Sequence, residues 1–188
     1  MKKVLLFLAD GFEECEGLIV VDILRRAGIS VTTASIMGRE QVVSSHQIKI
    51  AADVLAEQVD PAQFDAVVLP GGIPGTPNLK ACPLVTDTCR SFFKSGKLVA
   101  AICAAPSILG ALGLLQGKRA TVYPGMEDTL AGAEHAPGEV VVDGNLITSR
   151  SMGTAIPFAL TIAAYLLEDP AAAEQLADSI CYGHYETY

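Results

Sequence analysis

Leu98-Val99-Ala100-Ala101-Ile102-Cys103-Ala104-Ala105-Pro106 is the stretch whose reading decides the fold. A short apolar run ends on a thiol, and the helix-compatible run Ser107-Ile108-Leu109-Gly110-Ala111-Leu112 follows almost at once. The segment predicts a strand, a sharp turn carrying the cysteine, and a helix. Small residues, Ala101 and Ala105, stand at both second neighbours of Cys103. A nucleophile elbow has this logic, because its tight turn leaves no space for larger side chains. A helix starting there aims its free N–H groups and positive end at the sulfur. Both favour the reactive thiolate. The segment alone is equally compatible with a buried structural cysteine, since free Cys is among the most buried residue types.

Working outward, apolar strand-like runs alternate with helix-like ones. Residues 3–8 predict a first strand, 14–27 a helix closed by Gly28, and 29–36 a second strand. Residues 41–50, rich in Val, Ile and Ser, predict a hairpin excursion. A short buried strand over 66–69 runs into Pro70-Gly71-Gly72, and a helix over 84–94 is ended by Gly96. Strands 140–142 and 146–148 flank the tight-turn signal Asp143-Gly144-Asn145. A long helix over 154–167, with Ser151 or Gly153 near its cap, and a last helix over 171–179 complete the pattern. The expectation is one α/β domain over 1–188: a flavodoxin-like, doubly wound, mostly parallel sheet with helices on both faces. In such sheets ligands bind at the carboxyl ends of the strands. Three loops expected there carry unusual residues: 10–16, 70–75 and 103–106.

Composition sets the bounds. The chain has 188 residues, 51% hydrophobic and 6% aromatic with no Trp, so aliphatic side chains dominate a sizeable core. Its formal charge is -8 and no run of Lys or Arg exceeds two residues. Nucleic acid and anionic membranes both call for a basic footprint, and neither is an expected partner. The apolar N-terminal stretch is short and runs into Asp10, Glu13 and Glu14, which suits a first strand better than a signal peptide. The most apolar late stretch, 155–167, is too short to cross a bilayer. A cytoplasmic protein is expected. Cys15, Cys82, Cys89, Cys103 and Cys181 are odd in number and irregularly spaced, which argues against a disulfide framework. With no C-x-x-C and three scattered histidines, no metal site is expected.

Beyond Cys103, two groups of residues invite a chemical reading. Gly71 and Gly72 follow a buried strand directly; they are either an ordinary strand-to-loop turn or backbone donors of an oxyanion hole, with the N–H of Ala104 as the second donor. Glu13, Glu14 and Glu16 crowd the start of the first helix. Acidic side chains are favoured there by the helix dipole, but one of them could instead turn toward the thiol. A carboxyl group in a low-dielectric site holds its proton and can serve as general acid and base.

Several segments together resemble the ThiJ/PfpI family, within the class I glutamine amidotransferase-like superfamily. They are Ala9-Asp10-Gly11-Phe12-Glu13-Glu14-Cys15-Glu16, Val21-Asp22-Ile23-Leu24-Arg25-Arg26-Ala27-Gly28, Asp65-Ala66-Val67-Val68-Leu69-Pro70-Gly71-Gly72, Ala100-Ala101-Ile102-Cys103-Ala104 and Thr148-Ser149-Arg150-Ser151-Met152-Gly153-Thr154. The resemblance covers nearly the whole chain. It implies Cys103 as nucleophile, Glu16 as its acid/base partner, and Gly72 and Ala104 as oxyanion donors, with Gly71, Tyr123 and Cys15 lining the site. It also implies a homodimer through the first helix, whose apolar side carries Val20, Ile23 and Leu24 and whose end carries Arg25 and Arg26. Two departures matter. Many relatives place a histidine directly after the cysteine, where this chain has Ala104. The deglycase branch places one in the strand after the elbow helix, where this chain has Tyr123 in Thr121-Val122-Tyr123-Pro124. Tyrosine is a poor base at neutral pH.

The implied activity is a cofactor-independent, cysteine-dependent glyoxalase or deglycase acting on methylglyoxal, glyoxal or their glycated adducts. The alternative is a redox-sensing, oxidation-controlled chaperone using the same cysteine. A cysteine amidase or peptidase is weakened by the missing histidine. His46 in the hairpin, His135 in a Gly/Ala-rich loop and His184 near the C-terminus read as surface or interface residues, His184 having the best claim to approach the site.

Overall fold

A computed structural model describes residues 1–183 of the chain. Strand β1 is Lys3–Leu8, helix α1 Glu14–Arg26 and β2 Ser30–Ser35. A hairpin of β3 (Gln41–Val43) and β4 (Lys49–Ala51) follows, then β5 (Val54–Leu55) and β6 (Ala66–Leu69). Next come helices α2 (Gly75–Ala81) and α3 (Pro83–Ser95), strand β7 (Leu98–Ile102) and helix α4 (Pro106–Ala111). Short strands β8 (Arg119–Ala120) and β9 (Glu134–His135) precede the hairpin β10 (Val140–Asp143) and β11 (Leu146–Ser149). Helices α5 (Ala155–Leu167) and α6 (Pro170–Ser179) close the described chain.

The seven-stranded sheet has the order β10-β11-β7-β6-β1-β2-β5. Only the β10–β11 pairing is antiparallel. Leaving out the flanking β10 and β5, the order is second, first, third, fourth, fifth, which is the flavodoxin winding. The winding reverses between β1 and β6, where the loops after both strands meet at their carboxyl ends, Glu13 N–H donating to Gly71 O at 2.9 Å, with the end of β7 beside them.

Alternation along the strands builds two cores. Val4, Leu6 and Leu8 face one layer with Val68, Ile102 and the helices α1 and α5. Leu5, Phe7 and Ala9 face the other with Leu69, Val99, Leu79 and Phe92. Both faces are covered, which is why β1 reads as an unbroken apolar run.

The expected elements form, with three differences. Residues 75–81 are helical, although Gly-Thr-Pro-Asn reads as a loop; Leu79, fully buried, anchors the turn against the second core. His135 is not in a loop but in β9, paired through Ala120 with β8. Val20, Ile23 and Leu24 are at most 2% exposed inside their own chain's core and are not a free surface. The exposed apolar side of α1 carries Leu18 instead.

Candidate active site

Cys103 lies between β7 and α4 with φ +63°, a left-handed conformation that strains any side chain bearing a Cβ. The frame that holds it is backbone. Cys103 N–H donates to Ser149 O at 2.9 Å, and its carbonyl accepts from Tyr123 N–H at 2.8 Å. Ala101 and Ala105 are both fully buried, so the space around the turn admits only a methyl group. Because α4 spans only six residues, the field at the sulfur comes from local N–H groups rather than a long dipole. Those of Ala104 and Gly72 both act on the Cys103 thiol and favour its ionised form.

The crowded acidic start of α1 divides its work among three carboxyls. Glu13 is the N-cap, its Oε2 accepting from Glu16 N–H at 2.7 Å. Glu14 turns to the hairpin, with Oε1 2.8 Å from His46 Nδ1. Burial pushes Glu14 up, yet its own N–H, Ser44 and His46 together hold it below the usual carboxylate range. Glu16 turns inward and is 1% exposed. Its Oε2 accepts from Gly71 N–H at 2.9 Å, and its buried Oε1 makes no complete hydrogen bond.

Gly71 explains how Glu16 reaches the thiol. A Cβ there would stand 2.7 Å from both Cys103 Cβ and Glu16 Oε2. Any other residue would wedge the pair apart. Gly72 has φ +93°, and a Cβ on it would meet the backbone of Gly11, Phe12 and Glu13. Its absence lets the β6 loop close against the β1 loop.

The electrostatics follow from this packing. Burial pushes the Glu16 carboxyl up to about 7; the Cys103 thiol and the N–H groups of Gly71 and Met152 pull the other way, while Glu13 adds to the rise. Burial, the charge of an ionised Glu16 and the thiol's hydrogen bond to it push Cys103 up to about 12, against Ala104 and Gly72 N–H. Near neutrality Glu16 is therefore the group that titrates while Cys103 is held as a thiol beside it, and the reactive thiolate forms when its proton passes to the Glu16 carboxylate. An unpartnered Oε1 is costly as a carboxylate oxygen and is relieved by carrying that proton.

Cys15 is on α1, but burial and the charges of Glu13, Glu14 and Glu16 raise its pKa and hold it as a thiol. Glu13, Glu14 and His46 bring ligand-type atoms within 4.8 Å of one another. Glu13 is committed to capping, and a helix N-terminus disfavours a cation, so the trio makes no case for a metal.

A cavity of about 310 Å³ opens at the thiol, lined by Gly72, Ile73, Cys103, Ala104, Tyr123, Pro124, Gly125 and Met126. Tyr123 lines it as expected; Gly71 sits behind the thiol and Cys15 does not line it. Ile73 and Met126 went unread in the sequence, although Pro124-Gly125 is a turn signal that places Met126. A larger hollow of about 480 Å³ lies along α1 between Leu18, Ile19, Ile156 and Ile180, but it holds no nucleophile. His184 lies outside the described residues.

A family model described as the DJ-1/PfpI family matches residues 2–165. The chain belongs to the DJ-1/PfpI family. It is 47% identical over 164 residues to protein dj-1beta of Drosophila melanogaster, covering 86% of this chain and 88% of that protein. It is 37% identical over 153 residues to a protein named as a deglycase in Pyrococcus abyssi, covering 80% and 91%. Against the two Arabidopsis thaliana DJ-1 homologues it spans only 40% and 42% of their length. A crystal structure of a mutant DJ-1 superfamily protein from Salmonella typhimurium superposes with TM-score 0.93 at 41% identity, covering 97% of this chain and 99% of that one. Membership and fold are thus shown by sequence and by shape together. Among the described residues of this DJ-1/PfpI chain, no helix is long and apolar enough to cross a membrane.

Proposed function

We propose that this DJ-1/PfpI protein is a cofactor-independent cysteine enzyme of glyoxalase or deglycase type, acting on small 2-oxoaldehydes or their adducts. One observation carries the reading: a strained Cys103 and a buried Glu16 carboxyl meet over the Cβ-free face of Gly71, with the N–H groups of Gly72 and Ala104 acting on the sulfur. The deglycase name of the Pyrococcus abyssi relative supports it. With the proton on Glu16, the Cys103 thiolate adds to the aldehyde carbon. A C–S bond forms and the carbonyl π pair moves to oxygen, held by Gly72 and Ala104 N–H. Glu16 gives its proton to that oxygen. The resulting carboxylate then takes the proton from that carbon to give an enediolate, the hydroxyl proton passes to the neighbouring oxygen, and Glu16 returns its proton to the neighbouring carbon, leaving a thioester of a 2-hydroxy acid. Water cleaves the thioester, releasing the acid and restoring the thiol. Among the described residues neither an imidazole nor an ammonium group lines the cavity to protonate a leaving amine, which disfavours an amidase or peptidase. Lactate formed from methylglyoxal by wild type, and by neither Cys103→Ser nor Glu16→Gln, is the expected result. Lactate from Cys103→Ser at the wild-type rate defeats the reading.

A second reading rests on the same geometry. A Cys103 sulfinate would accept from the Gly72 and Ala104 N–H groups and from a protonated Glu16, making the site a redox sensor that controls a chaperone surface. Peroxide adding two oxygens at Cys103 before any other thiol supports it, and even oxidation of all thiols counts against it. We further propose a cytoplasmic homodimer. Cysteines that remain free suit a reducing compartment. The exposed side of α1, with Leu18 at 40% exposure over the larger hollow, is the apolar surface available to a second copy.

A further inference from the structure

We infer that Ile73, Tyr123 and Met126 form a specificity wall for an uncharged, apolar substituent on the carbon beside the attacked aldehyde. Alkyl- and aryl-substituted 2-oxoaldehydes would then be preferred over glyoxal and over aldehydes bearing a carboxylate. The inference rests on the oxoaldehyde reading above and names which members of that class the site selects. At about 310 Å³ the cavity is at the low end for small-molecule sites, which span roughly 300–1,000 Å³. It suits a compact molecule and not a polypeptide segment. Its polar groups are few and already placed: the thiol, the N–H groups of Gly72 and Ala104, and the Tyr123 hydroxyl. Everything else a ligand meets there is the side chains of Ile73, Pro124 and Met126, the Tyr123 ring and Gly125.

Ile73 at 64% and Tyr123 at 46% exposure are large apolar side chains left open to water at one mouth. Apolar surface held open in that way, beside a nucleophile, marks a ligand-facing wall. The wall is fixed relative to the sulfur, because Tyr123 N–H donates to Cys103 O at 2.8 Å and Met126 N–H to Tyr123 O at 3.0 Å. Nucleophile and wall thus share one hydrogen-bonded frame. Among the described residues no charged side chain lines the cavity; Glu127, next along the loop, accepts from Gly125 N–H at 3.0 Å and is itself acted on by His135 and Arg150. A carboxylate on the substrate would meet apolar lining, with the Glu16 carboxyl against the thiol.

An added apolar group in a hydrophobic site is worth about 10–200-fold in kcat/KM. Because aldehydes differ in intrinsic reactivity, the readout is the ratio of kcat/KM for phenylglyoxal to that for glyoxal, compared between wild type, Ile73→Asn and Met126→Asn. The ratio is expected to fall about tenfold or more in the variants; an unchanged ratio in both overturns the wall. A second measurement needs no turnover. Alkylation of Cys103 by iodoacetamide and by iodoacetate is compared with that of glutathione. The protein is expected to disfavour iodoacetate about tenfold more than glutathione does, as its uncompensated charge predicts. Equal discrimination overturns the inference. Selective alkylation that weakens in Ile73→Asn and Met126→Asn, with no turnover of any aldehyde, supports the wall while refuting the oxoaldehyde reading.

Discussion

Replacing Glu16 by glutamine removes one ionisable proton from the buried pair, and the structure sets both sign and size of the effect. A carboxyl with an ordinary value near 4.5 that sits at about 7 in the folded chain binds its proton more tightly folded than unfolded. Its favourable contribution is fully present below about 4.5 and is lost as pH rises through about 7. At about 1.36 kcal/mol per pKa unit, the loss amounts to roughly 3 kcal/mol by pH 8.5. Glutamine keeps the shape and the acceptor for Gly71 N–H but cannot ionise. Its stability relative to wild type should therefore climb by roughly 3 kcal/mol between pH 4 and pH 8.5, whatever its baseline. At about 2–4 °C per kcal/mol for a domain of this size, the variant's Tm minus that of wild type rises by about 6–12 °C. Thermal unfolding followed by circular dichroism across that range measures it directly. A signed difference that stays constant or falls as pH rises would show that Glu16 does not titrate as a raised carboxyl and would remove the basis for its proton-shuttling role.

Three other outcomes follow from the geometry. Gly71→Ala places a methyl 2.7 Å from Cys103 Cβ and Glu16 Oε2, so it should cost about 1–3 kcal/mol in thermal unfolding and a hundredfold or more in turnover; near-normal kinetics would show that the pair tolerates separation. His46→Ala breaks an ion pair whose histidine side chain is 69% exposed, and a Tm within about 2 °C of wild type is expected, whereas a large drop would make that pair structural. Leu18→Glu charges the exposed side of α1 and should convert the proposed dimer to a monomer in light scattering, with Tm little changed; a dimer of unchanged stability would place the interface elsewhere.

The sheet was legible because each parallel strand announces itself: β1 is apolar from Val4 on, β6 and β7 are apolar throughout, and they run into Ala9-Asp10, Pro70-Gly71 and Cys103-Ala104 at the loops. The left-handed turn at Cys103 was legible too, through Ala101 and Ala105. What the sequence could not show is which side of an element meets what. Val20, Ile23 and Leu24 form the apolar stripe of α1, but a stripe does not say whether it faces α5 of the same chain or a second copy. Here α5 takes it, and Leu18 remains outside. Helix α2 was hidden for a related reason. Its residues favour a turn, and the burial of Leu79 overrides them, a tertiary effect with no local signature.

The division among Glu13, Glu14 and Glu16 was the least legible feature and is the one on which the chemistry depends. All are good first-turn residues, and the helix dipole treats them alike. The choice is made from across the sheet. Gly71 leaves a gap one methyl wide beneath Cys103, and only Glu16 is on the face of α1 that reaches it. Glu13, one turn earlier, is drawn to the free N–H of Glu16 itself, so the cap helps to fix the residue it precedes. Glu14 is drawn outward by His46 and stays charged. Three chemically equivalent carboxyls thus end as a cap, a buried ion held by the hairpin and a proton carrier, and each assignment is enforced by a neighbour distant in sequence or by the helix geometry. A substitution that fills the Gly71 gap would therefore do more than disturb packing: it would push the Glu16 carboxyl away from Cys103 and leave the thiol without the group that takes its proton.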